Sequence, residues 1–153
     1  MALTVRRLQI LDLPALERTE AEHAKRFPGR AGALAGFHKQ VEQALSREPE
    51  GLMIADRDGQ IVGLAIARQR GAHPVSGQKH GRVEHLSVAQ GPEAPAVTSR
   101  LLKEAEAYLR SRGCAAIYFS LLVDDADGAQ RLKDAGYQVV AWDFAKTFRP
   151  SSD

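Results

Sequence analysis

Apolar positions along the chain follow two periods. Leu34, Phe37, Val41 and Leu45 fall at i, i+3, i+7 and i+11, which is one stripe of a helix. Val97, Leu101, Ala105, Tyr108 and Leu109 mark a longer stripe. Pro95 can open that helix and Gly113 can end it, with Arg110 and Arg112 at the carbonyl end of the dipole. An earlier helix is expected from Asp12, read as its N-cap before Leu13-Pro14-Ala15-Leu16, to about Lys25, where Phe27-Pro28-Gly29 breaks it. A short last helix is expected after Asp125 or Asp127, with Leu132 and Ala135 inward and Gly136 as its stop.

The strand-like segments alternate with period two or run continuously apolar. Leu52 to Ala55 and Ile61 to Ala67 flank Asp56-Arg57-Asp58-Gly59-Gln60, and the Asp58-Gly59 pair supplies the positive φ of a tight hairpin. Thr4 to Ile10 is a weaker first strand, Gly71 to His80 a loop, and Arg82 to Val88 a strand that sets Glu84 opposite His85 by alternation. Ala115 to Val123 is apolar enough for a strand covered on both faces. Val139 to Phe148 alternates as one or two closing strands would. The order β-α-α-β-β-β-α-β-α-β implies an α/β (α+β) fold, a mixed sheet with helices on both faces.

Composition narrows the function classes. The chain has 153 residues, 44% of them hydrophobic, which suits a single domain over residues 1–149 with a disordered tail at 150–153. Lys plus Arg is 21 against 19 Asp plus Glu, and that balance speaks against a nucleic-acid binder. The apolar runs are too short for a membrane helix, and the start MALTVRRLQILDLP lacks the apolar core of a secretory signal, so a soluble cytoplasmic protein is expected. A single cysteine, Cys114, excludes an internal disulfide and a Cys-cluster zinc site, and it reads as a small core residue. No His pair has metal-ligand spacing on a helix, so no metal is expected.

In their order and spacing, five segments resemble the GCN5-related N-acetyltransferase (GNAT) superfamily over nearly the whole chain. They are Val5-Arg6-Arg7 with Asp12 to Leu16, Asp58 to Gly63, Val83 to Val88, Val123-Asp124-Asp125, and Leu132 to Gly136-Tyr137. The resemblance implies a mostly antiparallel sheet whose fourth and fifth strands splay apart, and acetyl-CoA as cosubstrate. It implies that the backbone of Leu86, Ser87 and Val88 holds the pantetheine arm. The next turn and helix start would hold the pyrophosphate, because free N–H groups and the positive dipole end attract anions. Glu84 matches the position of a general base that deprotonates the acceptor amine. The acceptor would be a primary amine, on a small molecule or a peptide, and a homodimer is one assembly the family allows.

The chain departs from the family pattern in two places, the phosphate loop and the acid position. Family members usually carry Arg or Gln, then Gly-x-Gly-x-Gly/Ala; counted without a gap, those places hold Glu93, Ala94, Pro95, Ala96, Val97 and Thr98. Ala94 and Ala96 are small, the N–H groups of Ala96, Val97, Thr98 and Ser99 are expected to remain available, and the Thr98 and Ser99 hydroxyls add donors. Glu93 places a carboxylate near a phosphate. Many members also have a Tyr four residues before the Gly-Phe pair, which protonates the departing thiolate; Leu132 stands there. Asp124, Asp125 and Asp127 cluster where members often have Asn; they read as helix caps or as an acidic patch for the amine, and the resemblance places Asp125 in the cofactor site. Arg68, Arg70, His73, Lys79, His80 and Arg82 form a basic stretch, either a solvated loop or a contact for the 3′-phosphate of CoA or an acidic partner. These departures leave three readings: an N-acetyltransferase, a GNAT-fold binding or regulatory module with lost CoA binding, and an enzyme with an unusual acyl donor.

Overall fold

The computed structural model describes residues 2–25, 33–121 and 125–148. The expected Phe27-Pro28-Gly29 break, the side chain of Leu34, the Val123-Asp124 strand end and the tail at 150–153 lie outside the described residues or side chains. The chain forms two compact units, residues 1–120 and residues from 121 onward. Among the described residues no helix is long and apolar enough to cross a membrane.

The larger unit is built on a five-stranded sheet in the order β1-β2-β3-β4-β5: β1 Leu3–Arg7, β2 Leu52–Arg57, β3 Gln60–Ala72, β4 Lys79–Val88 and β5 Ala116–Phe119. The first four strands are an antiparallel meander, and β5 lies parallel to β4. That parallel step needs a crossover, which α3 (Ala94–Ser111) supplies. The hairpin between β2 and β3 turns on Asp58 (φ 50°) and Gly59 (φ 85°), as their sequence requires, and the Gly59 N–H donates to Asp56 Oδ1 at 2.7 Å.

Strand alternation sorts the sheet into two faces. On one, Ala55, Ala65, Ala67, Val83 and Val88 pack beneath Val97, Leu101, Ala105 and Leu109 of α3. On the other, Ile54, Leu64 and Ile66 pack beneath Leu16 of α1 (Leu13–Lys25) and Phe37, Val41 and Ala44 of α2 (Ala33–Arg47). Burying the two helical stripes against a pleated sheet is the main stabilising term, at roughly 1.5–3 kcal/mol per large apolar side chain.

Polar links tie the layers together. Glu48, just past α2, accepts from the Gln69 N–H of β3 at 2.9 Å and from the Tyr108 hydroxyl of α3 at 2.8 Å. Burial first, and then this carboxylate, push the Tyr108 hydroxyl up to about 12. Arg6 of β1 donates to both oxygens of Asp12 at 2.9 Å and to Asp56 at 3.1 Å. The guanidinium holds the Asp12 carboxyl below its usual range.

Five expectations need correction. Asp12 does not cap α1: it closes a 3-10 turn, and its carboxylate is taken by Arg6 and the Gln9 N–H. The strands around the expected loop at 71–80 are longer than read, because β3 and β4 keep pairing to Ala72↔Lys79. β5 is short and half-buried, not a doubly covered central strand, and among the described residues it forms the sheet edge. Residues 138–148 form no strand, and Val139, Val140, Trp142, Phe144 and Phe148 are exposed. Alternation gives a segment the faces of a strand, but a strand exists only where a neighbour completes its backbone hydrogen bonds. In the smaller unit, α4 (Ala126–Asp134) has Leu132 buried as expected, whereas Ala135 is its exposed C-cap.

Two stability predictions follow from these contacts. A Cβ on Gly51 would lie 1.9 Å from the Ala67 carbonyl oxygen, so Gly51→Ala is expected to lower stability by about 1–3 kcal/mol or more in urea unfolding. Gly71→Ala, with nothing within 4 Å, is expected to stay within about 0.5 kcal/mol. Because the Asp12 carboxyl is depressed, its contribution is present above its unfolded value of about 3.9 and is lost as pH falls through the folded value. Asp12→Asn is therefore expected to destabilise at pH 7 and to flatten the loss of stability below about pH 4. An Asn variant with the wild-type acid profile would contradict this.

Candidate functional site

The sheet opens between β4 and β5. Their parallel pairing runs from His80↔Ala116 to Val83↔Phe119 and ends there, while β4 continues to Val88. The second half of β4, including Leu86 and Ser87, thus extends beyond the last pair with β5, and among the described residues its ladder is with β3. This is the splayed arrangement expected from the sequence.

A bulge sits at the opening. Ile66 pairs with His85 and Ala67 with Val83, which leaves Glu84 as the extra residue. Simple alternation would send Glu84 and His85 to opposite faces. The bulge instead turns Glu84 to the face away from α3, where its carboxylate meets Arg70 and, at 3.6 Å, Arg68. Its side chain is only 11% exposed.

The same face carries a row of polar side chains on neighbouring strands. Glu20 of α1, 4% exposed, accepts from Ser87 and lies 3.1 Å from Nε2 of His85. Phe37 packs against the His85 ring with centroids 5.1 Å apart. Arg82 donates to the Ser120 hydroxyl just past β5. Tyr118 stacks on His73 at 4.5 Å, and the edge of His80 meets it at 5.3 Å. Glu20 gave no sequence signal: it sits in a charged helix, and only the docking of α1 on β4 shows that its carboxylate is buried.

At the far end of β4 the chain turns into α3. Gly91, at φ 151°, makes that turn, and its carbonyl accepts from the Ala94 N–H at 3.1 Å. The ungapped count along the loop placed the expected glycines at 94–98 and passed over Gly91. The Val97 N–H donates to the Glu93 carbonyl at 3.0 Å, and Thr98 and Ser99 lie a full turn inside the helix, where amides close i→i−4 bonds. The expectation that the amides of Val97, Thr98 and Ser99 point outward is therefore corrected. Of the helical N–H groups expected to be available, Ala96 has no partner among the described residues. Thr98 is buried, and its hydroxyl oxygen also lacks a partner among the described residues.

The acid at this turn is neutralised. Arg57, the last residue of β2, pairs with Glu93 at the N-cap of α3, and its buried Nε has no hydrogen-bond partner among the described residues. The position read as a lone carboxylate is thus a carboxylate–guanidinium pair, and the hairpin brings a cation to the helix start. The sequence could not show this, because Arg57 and Glu93 meet only through the sheet.

Asp125 and Leu132 lie in the smaller unit. Asp125 is the N-cap of α4 and accepts from the Gly128 N–H at 2.9 Å, so its carboxylate is accounted for by capping. Leu132, where a Tyr acid was sought, is a buried apolar residue of α4, and the Tyr137 N–H donates to its carbonyl at 3.0 Å.

Comparison with known proteins agrees with this architecture. The aminoglycoside 6′-N-acetyltransferase AAC(6′)-IG from Acinetobacter haemolyticus is similar with a TM-score of 0.75 and 14% identity, covering 97% of this chain and 99% of that one. AAC(6′)-Iy, solved with the bisubstrate analogue CoA-S-monomethyl-acetylneamine, is similar with a TM-score of 0.75 and 17% identity, covering 98% and 100%. A ribosomal-protein-alanine N-acetyltransferase from Brucella melitensis biovar Abortus 2308 has a TM-score of 0.72 and 17% identity, covering 97% and 100%. At these identities the likeness shows the fold. Residues 13–137 match the sequence profile described as the acetyltransferase (GNAT) family. With the splayed strands in place and most of its length matched, the chain belongs to the GNAT acetyltransferase family.

Proposed function

We propose that the protein is an acetyl-CoA-dependent N-acetyltransferase acting on a primary amine. The observation that carries this reading is the end of β4–β5 pairing at Val83↔Phe119, with β4 continuing five residues further. A substrate with a peptide-like arm can add to such an edge as a strand would. The residues present fit acetyl-CoA at both ends of that edge. On this reading the pantetheine arm would run along the backbone of Leu86, Ser87 and Val88. The start of α3, with Ala94, Ala96, Val97, Thr98 and Ser99 in its first two turns, offers a positive dipole end, the Ala96 N–H and the nearby Arg57 guanidinium to a diphosphate. When bound, acetyl-CoA supplies an acetyl group on an activated thioester.

The chain's own residues then divide the work. Backbone N–H groups of β4 would orient the thioester carbonyl. Glu84, on the face opposite α3, takes a proton from the incoming ammonium, which must be neutral before its lone pair can attack. Arg68 and Arg70 position the Glu84 carboxylate. Leu132 has no proton to give, so the departing thiolate is stabilised without it; a thiolate is a tolerable leaving group.

The Arg57–Glu93 pair bears on the rival reading of a module that lost CoA binding. That reading rests on the replaced positions of the phosphate loop and on Leu132; of these, the charge of Glu93 is offset by Arg57. Calorimetry is expected to show acetyl-CoA binding to the wild-type protein, weakened about tenfold or more by Arg57→Ala and strengthened by Glu93→Gln. Absence of binding heat in the wild type would favour the module instead.

The base assignment has its own readout. With an amine that is acetylated, Glu84→Gln is expected to lower kcat by about 10²–10⁴-fold and leave acetyl-CoA affinity unchanged. Thiol release measured across a panel of amines tests this. Wild-type kcat in Glu84→Gln, with loss in His85→Gln, would move the role to His85.

A further inference from the structure

The basic stretch singled out in the sequence is divided by the fold. Lys79 turns toward the α3 side, where it donates to the Arg112 carbonyl and to Gln69. Gly81 and Val83 also face α3, because a Cβ on Gly81 would meet Leu109 and Val83 packs in the α3 cluster. Arg82 between them faces the other way, with Arg68 directly opposite on β3. On that face three guanidiniums (Arg68, Arg70, Arg82) stand close together, and the described carboxylate bonded among them is Glu84.

Glu84 is shared by Arg68 and Arg70. Among the described residues, no carboxylate pairs with Arg82, whose hydrogen bond goes to the neutral Ser120 hydroxyl. Like charges directly opposed across a strand pair are destabilising. The Arg68↔Arg82 pair is therefore a cost that an anion on this face would relieve. The 3′-phosphate and diphosphate of a CoA at the α3 start are a poor fit for that anion. Arg82 is six residues before the end of β4, about 20 Å along the strand, and on the face opposite α3. Glu84, by contrast, is two residues away on the same face, about 7 Å along the strand.

We propose that Arg82, flanked by Arg68 and Arg70, binds an oxyanion of the acceptor, so that the protein takes amines bearing a carboxylate or phosphate a few bonds from the reacting nitrogen. This rests on the acetyl-transfer reading above for the identity of the ligand as an acceptor. It also sets the site against polycationic amines, which would meet two uncompensated positive charges. Planar guanidinium forks suit carboxylate and phosphate alike, and Ser120 holds one fork in place.

The test titrates the full chain by calorimetry and ligand-observed NMR with β-alanine and O-phosphoethanolamine, with ethanolamine and spermidine as the amines lacking an anion. The anionic pair is expected to bind at least about tenfold more tightly than ethanolamine. Arg82→Gln is expected to abolish that preference and Arg82→Lys to retain part of it, and thermal melts of the variants report whether they fold. Equal binding of all four amines, or a preference that survives Arg82→Gln, overturns the proposal. So does a tenfold loss of CoA affinity in Arg82→Gln that dephospho-CoA does not share, since the arginine would then serve the cofactor's 3′-phosphate. Acetyl-CoA binding measured on the same samples keeps the two readings apart. Binding of acetyl-CoA without anion preference overturns only this proposal, and anion preference without acetyl-CoA binding overturns only the acetyl-transfer reading.

Discussion

The site depends on backbone hydrogen bonds that β4 does not make to β5. A central strand ordinarily fills both edges. Here the β5 ladder ends at Val83↔Phe119, and among the described residues the rest of β4 pairs with β3. That arrangement persists because β4 is fixed by other means: Val83 and Val88 are buried against α3, and Ser87 and His85 are tied to the buried Glu20 of α1. Helices on both faces therefore hold the strand in place where it leaves β5. Loss of either cover would let β4 and β5 close or let β4 fray.

The bulge at Glu84 has the same origin. One extra residue against Ile66 and Ala67 gives β4 the change of direction needed to leave β5, and it moves a carboxylate onto the face that carries Arg68, Arg70 and Arg82. Geometry that opens the sheet thus also places charge at the opening. At the other end of the strand, the β2–β3 hairpin delivers Arg57 to the start of α3, so the charge of Glu93 is met from a strand two places away in the sheet. Both ends of the candidate cofactor path are set by contacts between residues far apart in sequence.

Much of the architecture was legible. The α3 stripe, the Asp58-Gly59 hairpin and the order of elements that led to the family each rest on local preferences: helical periodicity, positive φ and turn chemistry. What misled was also local. Alternation at Val139 to Phe148 carried no information about a neighbouring strand, and the segment forms none. Alternation at Glu84 and His85 assumed a regular ladder, which the bulge breaks. Asp12 looked like a cap because its position suited one, yet Arg6 reached it first through the pairing of β1 with β2.

Periods and turn residues need only neighbours within a few positions, so the sequence by itself determined which segments are helices and hairpins, and through their order the family. Charge and burial are properties of the assembled surface. Only the tertiary structure decided that Glu93 is paired, that Glu20 is buried, that Glu84 shares a face with three arginines, and that Arg82 is left without a carboxylate among the described residues. The reason is physical: an ion's energy depends on what stands within a few ångströms of it, and here those neighbours lie 14 to 67 residues away along the chain.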